Sequence, residues 1–308
     1  MKLPIAMPPA LLVLLLVAST SAVAAPQAPD AAPFAPAVPA PVPPSALTIS
    51  ATPVGLAATP LDQAYRAMYN LDFISAHRIL RQYEAAQPAD PMAPVSDAAA
   101  YLFAEFDRLH ILESEFFTEN EDGFHKREKT LLPDPIAAQD FEAALIRSDR
   151  ASAAALRRNP ADENALLATL FRTGLHTDYL GFIQKRNMAA LSEMKQGRVL
   201  AETMLAKYQQ LYDAYLAIGV ENYMLSLAPA PIRWFLRLSG AQTDRQVGLE
   251  RLRVTAEKGH YLLPYARMLL AVVAIRDKDN TNARQILSAL SAEFPGNLLY
   301  RRELAKLN

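Results

Sequence analysis

The chain has 308 residues, with 31 basic and 32 acidic side chains, a formal charge of −1 and no cysteine. The two signs are interspersed, so no basic stripe is offered to nucleic acid or to an anionic membrane surface. Without cysteine there is neither a disulfide framework nor a lipobox, and a domain of about 250 residues has to be stabilised by its core alone.

At the amino terminus Lys2 precedes an apolar run from Ala10 to Ala18, and Ala22-Val23-Ala24 is a small-x-small cleavage signal. This predicts a signal peptide over 1–24, cut after Ala24 or Ala25, and export to the periplasm or beyond. The alternative is an uncleaved signal anchor, for which the run falls short of the ~20 residues a span needs. No later stretch is apolar for that length, so no membrane span is expected after cleavage. Residues 25–58 are dominated by Ala, Pro and Val, as in Pro41-Val42-Pro43-Pro44, and roughly half of the 23 prolines fall before Pro60. Such density removes backbone donors and predicts a disordered, semi-rigid tether.

From residue 59 onward the sequence reads as helix. Thr59-Pro60-Leu61-Asp62 has a cap residue, Pro at the first helical position and an acid at the third. Ala64, Ala67, Met68 and Leu71 follow at helical spacing, then Phe73, Ala76, Ile79, Leu80 and Tyr83. Ser96 to Phe117 is predicted as one amphipathic helix with Leu102, Phe106, Leu109, Leu112 and Phe116 on its apolar stripe. A polar loop over 119–134 leads to a helix ending at Asn159-Pro160, and Asp162 caps the next. Long helices are expected from Thr177 to Leu227, with a break at Pro229 and Pro231. Thr243-x-x-Gln246 then reads as a capping box before Val247, Leu249, Leu252 and Val254, and Leu262 to Ile275 as an apolar helix. No sustained period-two alternation predicts a sheet.

Two phrases align near the ends of this region: Phe73-Ile74-Ser75-Ala76, Leu80, Tyr83, Pro88 and Asn280-Thr281-Asn282-Ala283, Leu287, Leu290, Pro295. Each has a small Ala, large residues at +4 and +7, and a Pro at +12, which is how the second helix of a tetratricopeptide hairpin packs and stops. The chain thus resembles the tetratricopeptide repeat family. The resemblance implies an all-α fold, a superhelical array of antiparallel helix hairpins (an α-solenoid) over 59–308, with a concave groove for a protein or peptide. The array is irregular in the middle, where the period is lost between Ala165 and Gly240. A second block, Gly219-Val220-Glu221-Asn222-Tyr223-Met224-Leu225-Ser226-Leu227-Ala228-Pro229 with Asp244-Arg245-x-x-Gly248-Leu249, resembles the one that marks the tetratricopeptide repeat 39 family of eukaryotic proteins. That resemblance implies an interaction role.

Gly219, Asn222 and Ser226 lie at i, i+3 and i+7, one polar stripe on an apolar helix. The stripe either lets a second helix approach or lines a groove, and Asn222 also reads as satisfying a backbone group near Pro229. Trp234, the single tryptophan, is either core or a groove anchor. With Gly219, Asn222 and Ser226 it forms the candidate partner-binding set. Asp107-x-x-His110-x-x-Glu113 has a spacing that metal sites use, but no second such motif exists, so a solvated face is the expectation; His125 reads the same way among loop charges. Arg198 and Glu202 at i,i+4 read as a surface pair. No nucleotide loop, HExxH or nucleophile motif occurs, so neither catalytic residues nor a cofactor or metal are expected. The sequence therefore predicts an exported adaptor for a protein or peptide partner. A small-molecule or enzymatic pocket near residues 219–234 and a passive spacer are the alternatives.

Overall fold

The structure, a computed structural model, describes residues 59–113 and 132–307. The expected signal peptide and tether, and the loop holding His125, lie outside the described residues. Among those residues there are twelve α-helices and no strand. They are α1 (Pro60–Tyr69), α2 (Phe73–Ala86), α3 (Met92–Arg108), α4 (Pro135–Arg158), α5 (Glu163–Asp178), α6 (Asn187–Leu205), α7 (Tyr215–Ser226), α8 (Ala230–Leu238), α9 (Arg245–Lys258), α10 (Leu263–Arg276), α11 (Asn280–Glu293) and α12 (Leu298–Lys306). A π-helical turn, Tyr179–Ile183, follows α5, and a 3₁₀ turn, Tyr212–Ala214, precedes α7.

Side-chain caps start most of these helices. Thr59 Oγ1 accepts the Asp62 N–H at 3.1 Å while the Asp62 carboxylate accepts the Thr59 N–H at 2.9 Å, the reciprocal pair expected from the sequence. Asp162 caps α5 as expected. At α9 the cap is one residue later than the predicted box: Asp244 accepts from Gln246 and Val247, while Thr243 Oγ1 accepts from Arg237 Nε at 2.7 Å. Pro231 begins α8 instead of breaking a helix, because the first turn needs no amide donor there.

Helix ends depart further from expectation. The helix predicted over 96–117 runs from Met92 to Arg108, and the stretch from Thr177 to Leu227 is interrupted by the π turn and by the links before α6 and α7. A common device stops the chain. His110 has φ 59° and the Ile111 N–H returns to the Phe106 carbonyl at 2.8 Å. Leu71 and Lys278, both φ 61°, repeat this with bonds from Asp72 and Asp279 five residues back, and Lys185, φ 57° after the π turn, does so with a bond from Arg186 six residues back to Leu180. This six-to-one bond with a left-handed residue is the termination that glycine usually provides, and a Cβ there costs roughly 1–2 kcal/mol. Among the described residues only Gly240, φ 83°, follows the glycine rule.

The links α1–α2 and α10–α11 are conformational copies. Each has a left-handed residue, Leu71 or Lys278, then a capping aspartate, Asp72 or Asp279, that accepts the N–H three residues on. Behind them Ala76, Leu80, Ala283, Leu287 and Leu290 are buried, Phe73 and Tyr83 pack at the edge of the core, and Pro88 and Pro295 lie exposed just beyond the helices. Neighbouring helices pack in chain order through the fold, α3 also on α1 and α5, and α7 on α9.

The two ends of this series then meet. Asn70 Oδ1 accepts the Gly296 N–H at 2.9 Å across 226 positions, Asn297 Nδ2 donates to the Tyr69 carbonyl at 2.9 Å, and the Tyr69 and Phe294 rings lie 5.4 Å apart. Asp62 and His260 approach to 2.7 Å on the same side. One apolar core consequently includes residues from Leu61 to Leu307. In a linear repeat array each unit contacts only its neighbours, so these long-range contacts depart from that arrangement.

The tightest crossing is α7 on α9. A Cβ at Gly219 would come 2.9 Å from Leu252 Cγ, and one at Gly248 would come 2.5 Å from the Tyr223 backbone nitrogen. Gly248→Ala is expected to lower stability by about 1–3 kcal/mol through overpacking, whereas Lys278→Gly is expected to raise it by about 0.5–1 kcal/mol by relieving the left-handed Cβ. Urea unfolding of both variants beside the parent measures the pair. A neutral Gly248→Ala would mean that backbone contact does not set the α7–α9 separation.

Candidate functional site

Eight helices, α1, α2, α3, α5, α6, α7, α10 and α12, contribute to the wall of one partly open cavity of about 160 Å³. A second cavity of about 120 Å³ lies between α5, the π turn, α6, α7, α9 and α10. Thr177, Asp178, Met194, Val220 and Tyr265 belong to both walls. An apolar cavity of about 150 Å³ admits a benzene-sized molecule, which sets the scale of the larger one. Its lining is mostly aromatic and aliphatic, with Phe103, Phe171, Leu216 and Met268 prominent.

Most polar groups on that wall are occupied. The Asp213 carboxylate accepts the N–H groups of His260, Tyr261 and Leu262 at 2.9, 3.0 and 3.1 Å. Glu193 pairs with His176 at 2.8 Å, Thr177 donates to the Thr173 carbonyl at 2.9 Å, and Asn297 binds Tyr69. Asp178 has no donor within hydrogen-bonding reach among the described residues. It keeps some accessible surface although protein encloses it, as a residue on a cavity wall must. Desolvation pushes its carboxyl up to about 7, because nothing nearby stabilises the charged form. Tyr265, opposite on α10, also has no hydrogen-bond partner for its hydroxyl among the described residues, and burial followed by the charge of Asp178 raises its phenol. Its ring stands edge-on to Phe103 at 5.5 Å.

Local sequence explains how Asp178 reaches this position. It is the last residue of α5, and the next turn widens to π geometry, with the Gln184 N–H reaching the Tyr179 carbonyl at 3.0 Å. Tyr179 is anchored on Phe141 at 4.8 Å and Phe182 on Phe106 at 5.7 Å. These two rings hold the widened turn against α3 and α4, and π turns occur frequently at functional sites. Phe171, Gly174 and Asp178, at i, i+3 and i+7, share the face of α5 that lines the larger cavity. At Gly174 a Cβ would meet no atom within 4 Å.

The residues singled out from the sequence fall elsewhere. Gly219 sits in the crossing with Leu252. Asn222 is 1% exposed: its amide donates to the Ile218 carbonyl and to Gln242, and its oxygen accepts the Asp244 N–H at 3.0 Å. Ser226 donates to the Tyr223 carbonyl at 2.6 Å. Gly219 and Asn222 are therefore inside the helix packing and present nothing to a partner. Trp234 is 66% exposed on α8, beside exposed Phe235 and Leu238. Arg198, read as half of a surface pair with Glu202, is buried instead, and donates to fully buried Glu221 at 3.0 Å and to the Gly240 carbonyl. His110 and Glu113 meet at 3.1 Å at the exposed end of α3, with Arg302 3.6 Å from Glu113, and no cluster of metal-ligating groups occurs among the described residues. Val220, Tyr223, Met224, Leu225 and Leu227 do line the second cavity, so the 219–234 block touches the interior through its apolar residues, not its polar ones.

Asp178 was the residue missed. Its signal is the same i, i+3, i+7 spacing, Phe171-Gly174-Asp178, that was noticed in α7, followed by the uncharged run Tyr179-Leu180-Gly181-Phe182-Ile183.

A carboxyl with a raised proton affinity in the folded state keeps its proton where the unfolded chain has lost it. Its contribution is present below about pH 4 and is lost as pH rises through about 7. Asp178→Asn is expected to flatten that decline and to gain on the order of 2 kcal/mol over the parent at about pH 8. Chemical denaturation at several pH values between about 4 and 8 tests this, and parallel profiles for the two proteins would remove Asp178 from the explanation. Comparison with protein-family models, with curated proteins and with solved structures finds no match, so the reading of the site rests on its geometry.

Proposed function

We propose that the chain is an exported, tetratricopeptide-like helical protein that encloses a small and mostly apolar molecule in the interior shared by α1, α5, α7 and α10. The observation that carries this reading is the pair of polar groups, Asp178 and Tyr265, that have no hydrogen-bond partner among the described residues and lie on the wall common to two apolar cavities. Binding sites of small molecules are concave, largely apolar, and oriented by a few polar groups of this kind. A packed interior with no role for the space would be expected to fill it, since each unfilled volume costs contact energy. The role is binding and not catalysis, and the antiparallel pairing of a tetratricopeptide array is the arrangement that the matching α1–α2 and α10–α11 links favour.

A second reading keeps the adaptor expectation and rests on a different surface. α8 buries only Leu236 among its own residues and holds Trp234, Phe235 and Leu238 outward, 66%, 61% and 67% exposed. Exposed aromatic clusters of this kind favour a protein interface. On this reading Trp234→Ser/Phe235→Ser would lose a partner recovered by in-cell crosslinking and leave the interior unchanged.

The interior reading is tested with toluene as the probe. Toluene is expected to raise the melting temperature of the full chain saturably, and Gly174→Leu, which puts a side chain into the larger cavity, is expected to abolish the rise while itself melting no lower than the parent. No shift with the parent, or an equal shift with Gly174→Leu, would overturn the assignment of this cavity.

A further inference from the structure

The wall of the larger cavity has a one-sided charge. Among the described residues it carries the carboxylates of Asp178, Glu193 and Asp213 and no lysine, arginine or histidine. Glu193 is matched from outside by His176 at 2.8 Å and Arg172 at 3.9 Å, and Asp213 by three backbone N–H groups. Asp178 is matched by no group among the described residues. Arg276 is the basic residue on the wall of the second cavity, but it is engaged elsewhere, and burial alone acts on Asp178. The other titratable groups facing the same space are phenols, Tyr265 from α10, Tyr65 and Tyr69 from α1 and Tyr300 from α12.

These charges discriminate among occupants. An anionic molecule would meet three carboxylates in a medium of low dielectric, where like charges repel most strongly. A neutral hydrocarbon would fill the volume and leave Asp178 without a partner, the costly condition for a buried acid. A molecule that brings its own positive charge removes that cost, since an ammonium group supplies both the counter-ion and N–H donors. The rings of Tyr265 and Phe103 add faces that attract a cation.

Granted the interior reading above, we infer that the occupant is a hydrophobic amine whose protonated nitrogen donates to the Asp178 carboxylate and lies beside the Tyr265 hydroxyl. Asp178 and Tyr265 line both cavities, so the carboxylate is within reach of an amine seated in either. The larger space of about 160 Å³ is of the size that takes a single aromatic ring. An aryl-alkyl amine, with its nitrogen flanked by apolar groups, has the chemistry this wall asks for.

N-ethylbenzylamine and its neutral isostere benzyl ethyl ether are the probes, titrated calorimetrically into the full chain at about pH 8, where the amine is protonated. The amine is expected to bind about tenfold tighter than the ether, and Asp178→Asn to bring the two to equal affinity, while toluene still binds both proteins. Retained toluene binding shows that the variant is folded and its cavity intact. Equal affinities for amine and ether in the parent would overturn the amine assignment and leave the interior reading standing. A preference for the amine that survives in Asp178→Asn would remove Asp178 from it. Failure of amine, ether and toluene alike would overturn both.

Discussion

The contact between the α1–α2 link and the α11–α12 link is the constraint on which the rest of the structure depends. Asn70 and Asn297 exchange hydrogen bonds with Gly296 and Tyr69, and the Tyr69 and Phe294 rings pack beneath them. These groups join parts of the chain separated by more than 220 residues, and the loop entropy of bringing them together rises only slowly with that length. Once they are joined, Tyr65 of α1 packs on Tyr261 in the link before α10, 4.6 Å apart, and the apolar faces of helices far apart in sequence share one core. An interior between them follows from geometry, because helices of about 10 Å diameter arranged around a closed path leave space where their inner side chains are small. Ala99, Gly174, Gly197 and Ala217 are such residues on the wall of the larger cavity.

Polar groups in this fold divide into two kinds. Arg198, Glu202, Glu221, Asn222 and Gln242 form a continuous hydrogen-bonded network that ties α6 and α7 to the segment between α8 and α9. Asp213 fastens the segment before α10 in the same manner. Such satisfied networks fix one arrangement of the helices. Asp178 and Tyr265 belong to the second kind, enclosed without partners, and in a protein that otherwise satisfies its interior acids they mark where stability has been given up.

Much of the helical content was legible because the local signals are chemical. Thr59, Asp162 and the Ala, Leu and Pro of the two aligned phrases announce caps, packing positions and stops directly. The end of α3 was not legible, because His110 occupies the left-handed position where a glycine would have signalled it; Leu71, Lys185 and Lys278 conceal their stops in the same way. Asn222 and Arg198 were noticed as polar residues on helices, but whether such a residue faces solvent, a neighbour or a cavity is decided by tertiary partners that helical spacing cannot encode. Asp178 escaped for the complementary reason. An acid near the end of a helix is ordinarily a surface residue, and only the cavity walls that α6, α7 and α10 complete against the end of α5 surround this one with protein.

The seam between the two ends of the series also bears on time. The joined links are short and partly exposed at Gly296 and Asn70, and hydrogen bonds of this exposure break in local openings far more often than the whole domain unfolds. Where the seam parts, the α1–α2 and α11–α12 links separate while the core behind them stays packed, so the two ends of the series exchange between joined and open states on a shorter timescale than the domain unfolds.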